Sequence, residues 1–170
     1  ELQADRRAMI SISIPGVPPS SNHAYTNIPG KVIKTGKGLM KVPGGRVLSE
    51  EGQKYKKETI SYIVRRYPKE MKFFQPDTPY AVYIRLYFPE IQNKGWPKKA
   101  ENRYKTLDAS NRVKLLEDAL KDAGGIDDSQ HMFVFVEKRQ GPEKTEVFAW
   151  NLDKEATPFD DFMQLRVGSV

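Results

Sequence analysis

Residues 107–130 read L-D-A-S-N-R-V-K-L-L-E-D-A-L-K-D-A-G-G-I-D-D-S-Q. Val113, Leu116, Leu120 and Ala123 recur at spacings of three and four, the apolar stripe of an amphipathic helix. Gly124-Gly125 ends that helix, because glycine takes the left-handed geometry of a C-terminal cap without steric cost. On its N-terminal side, Val82, Ile84, Leu86 and Phe88 alternate with Tyr83, Arg85 and Tyr87 before Pro89, the period of a strand. On its C-terminal side, Met132 to Lys138 and Thr145 to Leu152 read as two strands joined through Gly141-Pro142, an expected terminal hairpin.

Further out the same two periods recur. Ile10, Ile12 and Ile14 alternate with Ser11 and Ser13 and stop at Pro15-Gly16, which predicts a first strand. Ser49 followed by Glu50 and Glu51 suits a helix start, and Ile60, Ile63, Val64 and Tyr67 give its apolar stripe up to Pro68. The order is therefore β-α-β-α-β-β, an α+β fold with a mixed sheet and two helices packed on one face. One domain is expected over residues 9–152. Residues 1–8 lack periodicity and are read as a disordered or expression-derived end, and residues 153–170 as an acidic C-terminal tail. Residues 18–47 are too rich in proline and glycine for a long regular element. A stretch of that length inside a compact domain predicts a functional loop or a β-hairpin arm rather than idle coil.

Composition limits the chemistry. The 170 residues include no cysteine and two histidines, His23 and His131, so disulfide frameworks, thiolate zinc sites, cysteine nucleophiles and histidine-rich metal centres are excluded. A metal would be held by oxygen, which points to magnesium or manganese. No apolar run approaches the ~18 residues of a membrane span, and no secretory signal is evident, so a cytoplasmic protein with no membrane partner is expected. With 38% hydrophobic residues the chain can bury a core.

Lys and Arg number 28 against 22 Asp and Glu, a net charge of +6. That balance favours an anionic partner, nucleic acid first. Its location is specific. Lys31, Lys34, Lys37, Lys41, Arg46, Lys54, Lys56 and Lys57 face only Glu50 and Glu51 over residues 31–57, which accounts for the whole surplus. A second basic loop carries Lys94, Lys98, Lys99, Arg103 and Lys105 among Trp96 and Tyr104, against Glu90 and Glu101. Cations interleaved with aromatics suit a phosphate backbone with stacking contacts, and equally a solvated loop with its aromatics turned inward. Composition alone would also accommodate an RNA-binding or ribosome-associated protein.

Within 107–130, Asp108 sits at the start of the helix, and Asn111, Lys114 and Asp118 follow on one face. Asp127 and Asp128 lie beyond the helix, where a loop can return them toward its start. Carboxylates gathered around a lysine are what phosphodiester cleavage by a divalent ion requires. The same residues have plainer uses. Asp108 or Ser110 can cap the helix, Lys114 and Asp118 can form a solvated i,i+4 pair, and Asp127-Asp128 can be turn residues. His131 is read as a structural histidine rather than a general base, and Asn22 as a turn residue or a DNA contact.

The ordered set resembles the RusA-like crossover-junction endodeoxyribonucleases, whose signature is Asp-x-Asp-Asn opening a helix, a lysine three residues on, Asp-Ala-Leu, then Asp-Asp-x-Gln. Here Asp108, Asn111, Lys114, Asp118-Ala119-Leu120 and Asp127-Asp128-Ser129-Gln130 stand in that order. Upstream, Pro18-Pro19-Ser20-Ser21-Asn22 and Leu48-Ser49-Glu50-Glu51-Gly52-Gln53-Lys54-Tyr55 resemble two further family segments. The resemblance spans about residues 9 to 152. It implies a homodimeric, magnesium-dependent nuclease that resolves four-way (Holliday) DNA junctions by paired symmetric nicks, with no small-molecule cofactor and manganese as a possible substitute. It further implies Asp108, Lys114 and Asp128 as catalytic residues and Asp108, Asp127 and Asp128 as metal ligands. DNA contacts are expected from Asn22, Lys31, Lys34, Lys37, Lys41, Lys98, Lys99, Arg103, Lys105 and Asn111. One position departs from the pattern: Ser110 stands where the family commonly has its second carboxylate. A neutral serine weakens an ion site. The alternative expectation is therefore a catalytically weakened or inactive protein that still binds branched DNA.

Overall fold

The computed structural model describes residues 9–154. The expectations for residues 1–8 and for nearly all of the C-terminal tail lie outside the described residues. Strand β1 (Met9–Pro15) buries Ile10, Ile12 and Ile14. After a single turn, α1 (Ser21–Ala24), the Pro/Gly-rich region forms four short strands: β2 (Tyr25–Ile28), β3 (Lys31–Thr35), β4 (Gly38–Val42) and β5 (Gly45–Leu48). Next come helix α2 (Glu50–Arg66), strand β6 (Tyr80–Phe88), helix α3 (Ser110–Gly124), strand β7 (His131–Gln140) and strand β8 (Lys144–Asn151).

The main sheet runs β1-β8-β6-β7, with β6 and β7 parallel and the other pairs antiparallel. It is α+β and mixed, as expected, but the terminal hairpin does not form, because β6 lies between β7 and β8. The reason is burial. Val82, Ile84, Leu86 and Phe88 are buried on one face of β6, and Ala81, Tyr83 and Arg85 are buried on the other, so this strand takes a central place. The Gly141-Pro142 connection instead crosses the end of β6, where the Gly141 amide donates to the Phe88 carbonyl at 2.9 Å.

Both long helices cover one face. Ile63 of α2 and Val113, Leu116 and Leu120 of α3 join Ile12, Ile84 and Val147 of the sheet in the principal core. On the opposite face Ala81, Tyr83, Phe148 and Trp150 form a second cluster. Arg85 is buried there against the stacked rings of Tyr83 and Phe148, 5.1 Å from each, with Glu137 at 3.5 Å and Glu146 at 3.6 Å. Those partners compensate a charge that would otherwise be costly to bury. Val64, expected in the stripe of α2, is 48% exposed. The helix turns Gly52, Thr59 and Ile63 inward instead, which leaves Val64 on the solvent side.

Gly52 explains why this helix starts where it does. Ser49 caps α2 by accepting from the Gly52 amide at 3.0 Å, and a Cβ at Gly52 would lie 2.3 Å from the Ala24 carbonyl oxygen. Only glycine permits that approach of α1 to α2. Gly52→Ala is expected to cost about 1–3 kcal/mol through overpacking. A lower urea midpoint at unchanged slope would register it, and an unaltered midpoint would contradict the close approach.

The residues 25–48 form an arm of two ribbons in tandem, β2 with β5 and β3 with β4. Gly30 and Gly44 lie where the chains cross between them. A Cβ on Gly44 would sit 2.6 Å from the Ile28 carbonyl oxygen, and one on Gly30 would sit 2.9 Å from the Gly44 nitrogen. The glycines and prolines that read as loop are thus the junction of a β arm.

Candidate active site

Asp108 lies two residues before α3. Its carboxylate accepts from the Ser110 hydroxyl at 2.7 Å, from the Asn111 amide at 3.2 Å and from the Asn111 side chain. The Ser110 hydroxyl first, and then the Asn111 amide, hold this carboxyl below its ordinary range, with Lys138 adding to the effect. Of the two capping readings, the Asp108 one describes the geometry. Ser110 is the first residue of the helix, and its hydroxyl donates to Asp108.

About one turn into α3 lies a second group. Lys114 Nζ is 3.2 Å from Asp128 Oδ2 and 3.4 Å from Asp118 Oδ1. Asp128 first and Asp118 next raise the affinity of this lysine for its proton, so it stays charged. Asp128 opens a short 3₁₀ turn, Asp128–Gln130, whose position is set by Gln130. The Gln130 side-chain amide donates to the carbonyls of Gln75 at 2.9 Å and Thr78 at 3.1 Å, and its oxygen accepts from the Asp127 amide at 3.0 Å. This clamp ties the turn to the segment leading into β6 and aims Asp128 at Lys114.

Asp127 is held differently. It caps the 3₁₀ turn through the Ser129 amide at 3.1 Å and pairs with Lys121, farther along α3, and these contacts keep its carboxyl far below the usual range. The structure therefore joins Lys114, Asp118 and Asp128, keeps Asp108 with Ser110 and Asn111, and places Asp127 with Lys121. Among the described residues, no three carboxylate or imidazole side chains converge as a ready metal cage. Magnesium is commonly held by one or two carboxylates, with waters and substrate phosphate oxygens completing its shell. Asp108 and Asp128 are hard oxygen donors of the kind that mode uses, one bonded to the first turn of α3 and the other paired with Lys114.

The His131 side chain is 2% exposed, with Nδ1 2.9 Å from Glu117 and a buried Nε2 that has no hydrogen-bond partner. Asn22 is exposed on α1. Lys31, Lys34, Lys37 and Lys41 are exposed along the distal ribbon. In the second basic loop Lys98 and Lys99 are exposed, and Arg103 lies 5.4 Å from the Trp96 ring and 5.3 Å from the Tyr104 ring. Lys105 is instead drawn to Glu90 at 2.8 Å, and Lys94 pairs with the same carboxylate. These two partners, Lys105 first, hold Glu90 down to about 2.

One contact has no counterpart in the spacing of the sequence. The Tyr25 hydroxyl, at the root of the arm, donates to Asp118 Oδ2 at 3.3 Å, and Arg46 lies 5.1 Å from the Tyr25 ring. The root of the arm thus touches the Lys114 cluster.

The chain matches a family model described as Endodeoxyribonuclease RusA over residues 15–148. The match covers most of the chain, and its class is that of the DNA-cleaving nucleases. The chain belongs to the RusA endodeoxyribonuclease family, which places it generally among the Holliday junction resolving nucleases. No curated protein matches it. No described helix is long and apolar enough to cross a membrane.

Proposed function

We propose that the protein is a magnesium-dependent endonuclease, with manganese as a possible substitute, that resolves four-way DNA junctions by paired symmetric nicks. The observation that carries this reading is Lys114 held between Asp118 and Asp128, two turns from Asp108, in a chain of this family. Asp108 and Asp128 would hold the ion, and Asp127 could assist only by leaving Lys121. A divalent ion bound there would neutralise the scissile phosphate and activate a water. Lys114, kept protonated by its carboxylates, supplies fixed positive charge where charge develops on the leaving oxygen. Asn111 holds the Asp108 carboxylate in one orientation and would contact the strand to be cut.

Lys98, Lys99, Arg103 and the arm lysines supply the phosphate contacts that position the DNA. Lys105, held by Glu90, contributes charge nearby. A homodimer suits this substrate, since a two-fold pair of sites matches a junction and allows paired cuts.

A second reading is supported by one observation. The Ser110 hydroxyl occupies a lone pair of Asp108 and brings no charge, which favours a protein that binds branched DNA with weakened or no cleavage. Substrate class is tested by competition among a four-way junction, linear duplex and structured RNA at fixed salt. The junction is expected to bind at least about tenfold more tightly than the others. Equal affinities would indicate phosphate attraction alone and remove the branched-DNA reading.

A further inference from the structure

Both faces of the distal ribbon carry apolar side chains, Ile33, Met40 and Val42 with Lys31 on one and Val32 and Leu39 on the other, and the second holds two lysines and the more exposed apolar pair. Val32 pairs across the strands with Lys41, and Lys34 with Leu39. Because side chains alternate along a strand, these four residues share one face, where each lysine stands opposite an apolar residue. Val32 is 57% exposed and Leu39 77% exposed. No ion pair among the described residues involves Lys31, Lys34, Lys37 or Lys41, and the ribbon carries no carboxylate.

A solvated ribbon gains nothing from exposed Val and Leu side chains, and a ribbon that only attracted phosphate would not need them. Cations flanking apolar side chains on a two-stranded ribbon match a different target, DNA whose base pairs are already open. The lysines then reach the backbones while the apolar side chains meet unstacked base faces. The root of the arm touches the Lys114 cluster through the Tyr25–Asp118 contact, so DNA held at the site would have the arm beside it.

We infer that the face formed by Val32, Lys34, Leu39 and Lys41 is a wedge that docks on opened bases at a DNA branch point, with Leu39 as the inserted side chain. This inference rests on the branched-DNA reading above and adds the element that senses the branch. Both apolar residues are exposed, so Val32→Ser with Leu39→Ser leaves the core untouched.

The test uses the full chain with calcium in place of magnesium. It measures affinity for a four-way junction and for linear duplex, fluorescence of 2-aminopurine at the branch point, and the mass of the free protein. For the wild type, tighter junction binding and a rise in 2-aminopurine fluorescence are expected. For the double variant, the fluorescence rise is expected to vanish and junction affinity to fall about tenfold, with duplex affinity within about twofold. Lys34→Gln with Lys41→Gln is expected to weaken both substrates alike and to flatten their salt dependence.

An unchanged fluorescence rise in the Val32/Leu39 variant, or equal losses on junction and duplex, would overturn the wedge while leaving junction binding intact. A change in mass without a change in DNA binding would make the face a contact between copies and would also overturn it. A wild type that does not distinguish junction from duplex would remove the branched-DNA reading and the wedge together.

Discussion

Replacing Asp108 by Asn is expected to slow cleavage of a four-way junction by about 100-fold or more while leaving its affinity for the junction within about threefold. Asp108 is the carboxylate that the Ser110 hydroxyl and Asn111 amide hold in its anionic form at the start of α3. Asparagine keeps the oxygen that accepts from the Asn111 amide and is as good a helix cap as aspartate, so folding should be preserved. The substitution removes the charge available to a metal and its phosphate, and its NH2 group keeps a partner when the Asn111 side-chain amide turns its oxygen toward it. Cleavage and filter-bound or anisotropy-measured affinity, taken on the same preparation, separate the two quantities. Undiminished cleavage would remove Asp108 from the chemistry.

Lys114→Met should lower the cleavage rate by a comparable factor, about 100-fold, with a smaller change in junction affinity. The lysine is the cation between Asp118 and Asp128, and a methionine retains its length without its charge. Its ion pairs are exposed, so the loss in stability should remain within about 1 kcal/mol. Lys114→Arg is the informative companion. It keeps the charge but spreads it over a planar fork, and partial recovery of rate would show that charge near Asp128 is what matters. A rate for Lys114→Met close to that of the wild type would leave the lysine a surface ion-pair partner and nothing more.

The elements whose period matches their burial were legible in the sequence. Ile10, Ile12 and Ile14 are buried as their alternation predicts, and Val113, Leu116 and Leu120 meet the sheet as their helical spacing predicts. Gly125 adopts the left-handed cap with φ 73°, for the reason its position suggested. Strand partners were not legible, because periodicity within a strand says which side faces the core and nothing about its neighbour. The separation of β7 from β8 by β6 follows from burial on both faces of β6, including that of Arg85, whose compensating carboxylates Glu137 and Glu146 come from the two flanking strands.

The site divides in the same way. Asp108 with Asn111, and Lys114 with Asp118, are near neighbours at the start of α3 and along it, where spacing determines proximity. Which of two adjacent aspartates turns back toward Lys114 depends on long-range contacts. Gln130 anchors its turn to Gln75 and Thr78, and Lys121 competes for Asp127. Neither contact has a signature in local sequence. The Tyr25 hydroxyl meets Asp118 across 93 positions of chain, a pairing that the tertiary fold alone brings about.

The most direct test incubates the protein with an end-labelled four-way junction and follows binding and strand cleavage together in magnesium, manganese and calcium. The account predicts binding in all three, and nicks in magnesium or manganese at symmetry-related positions on two opposing strands, leaving 5′-phosphate and 3′-hydroxyl ends. Tight junction binding without nicks in any of these ions would contradict it and leave a branched-DNA-binding protein whose site has lost a necessary charge at Ser110.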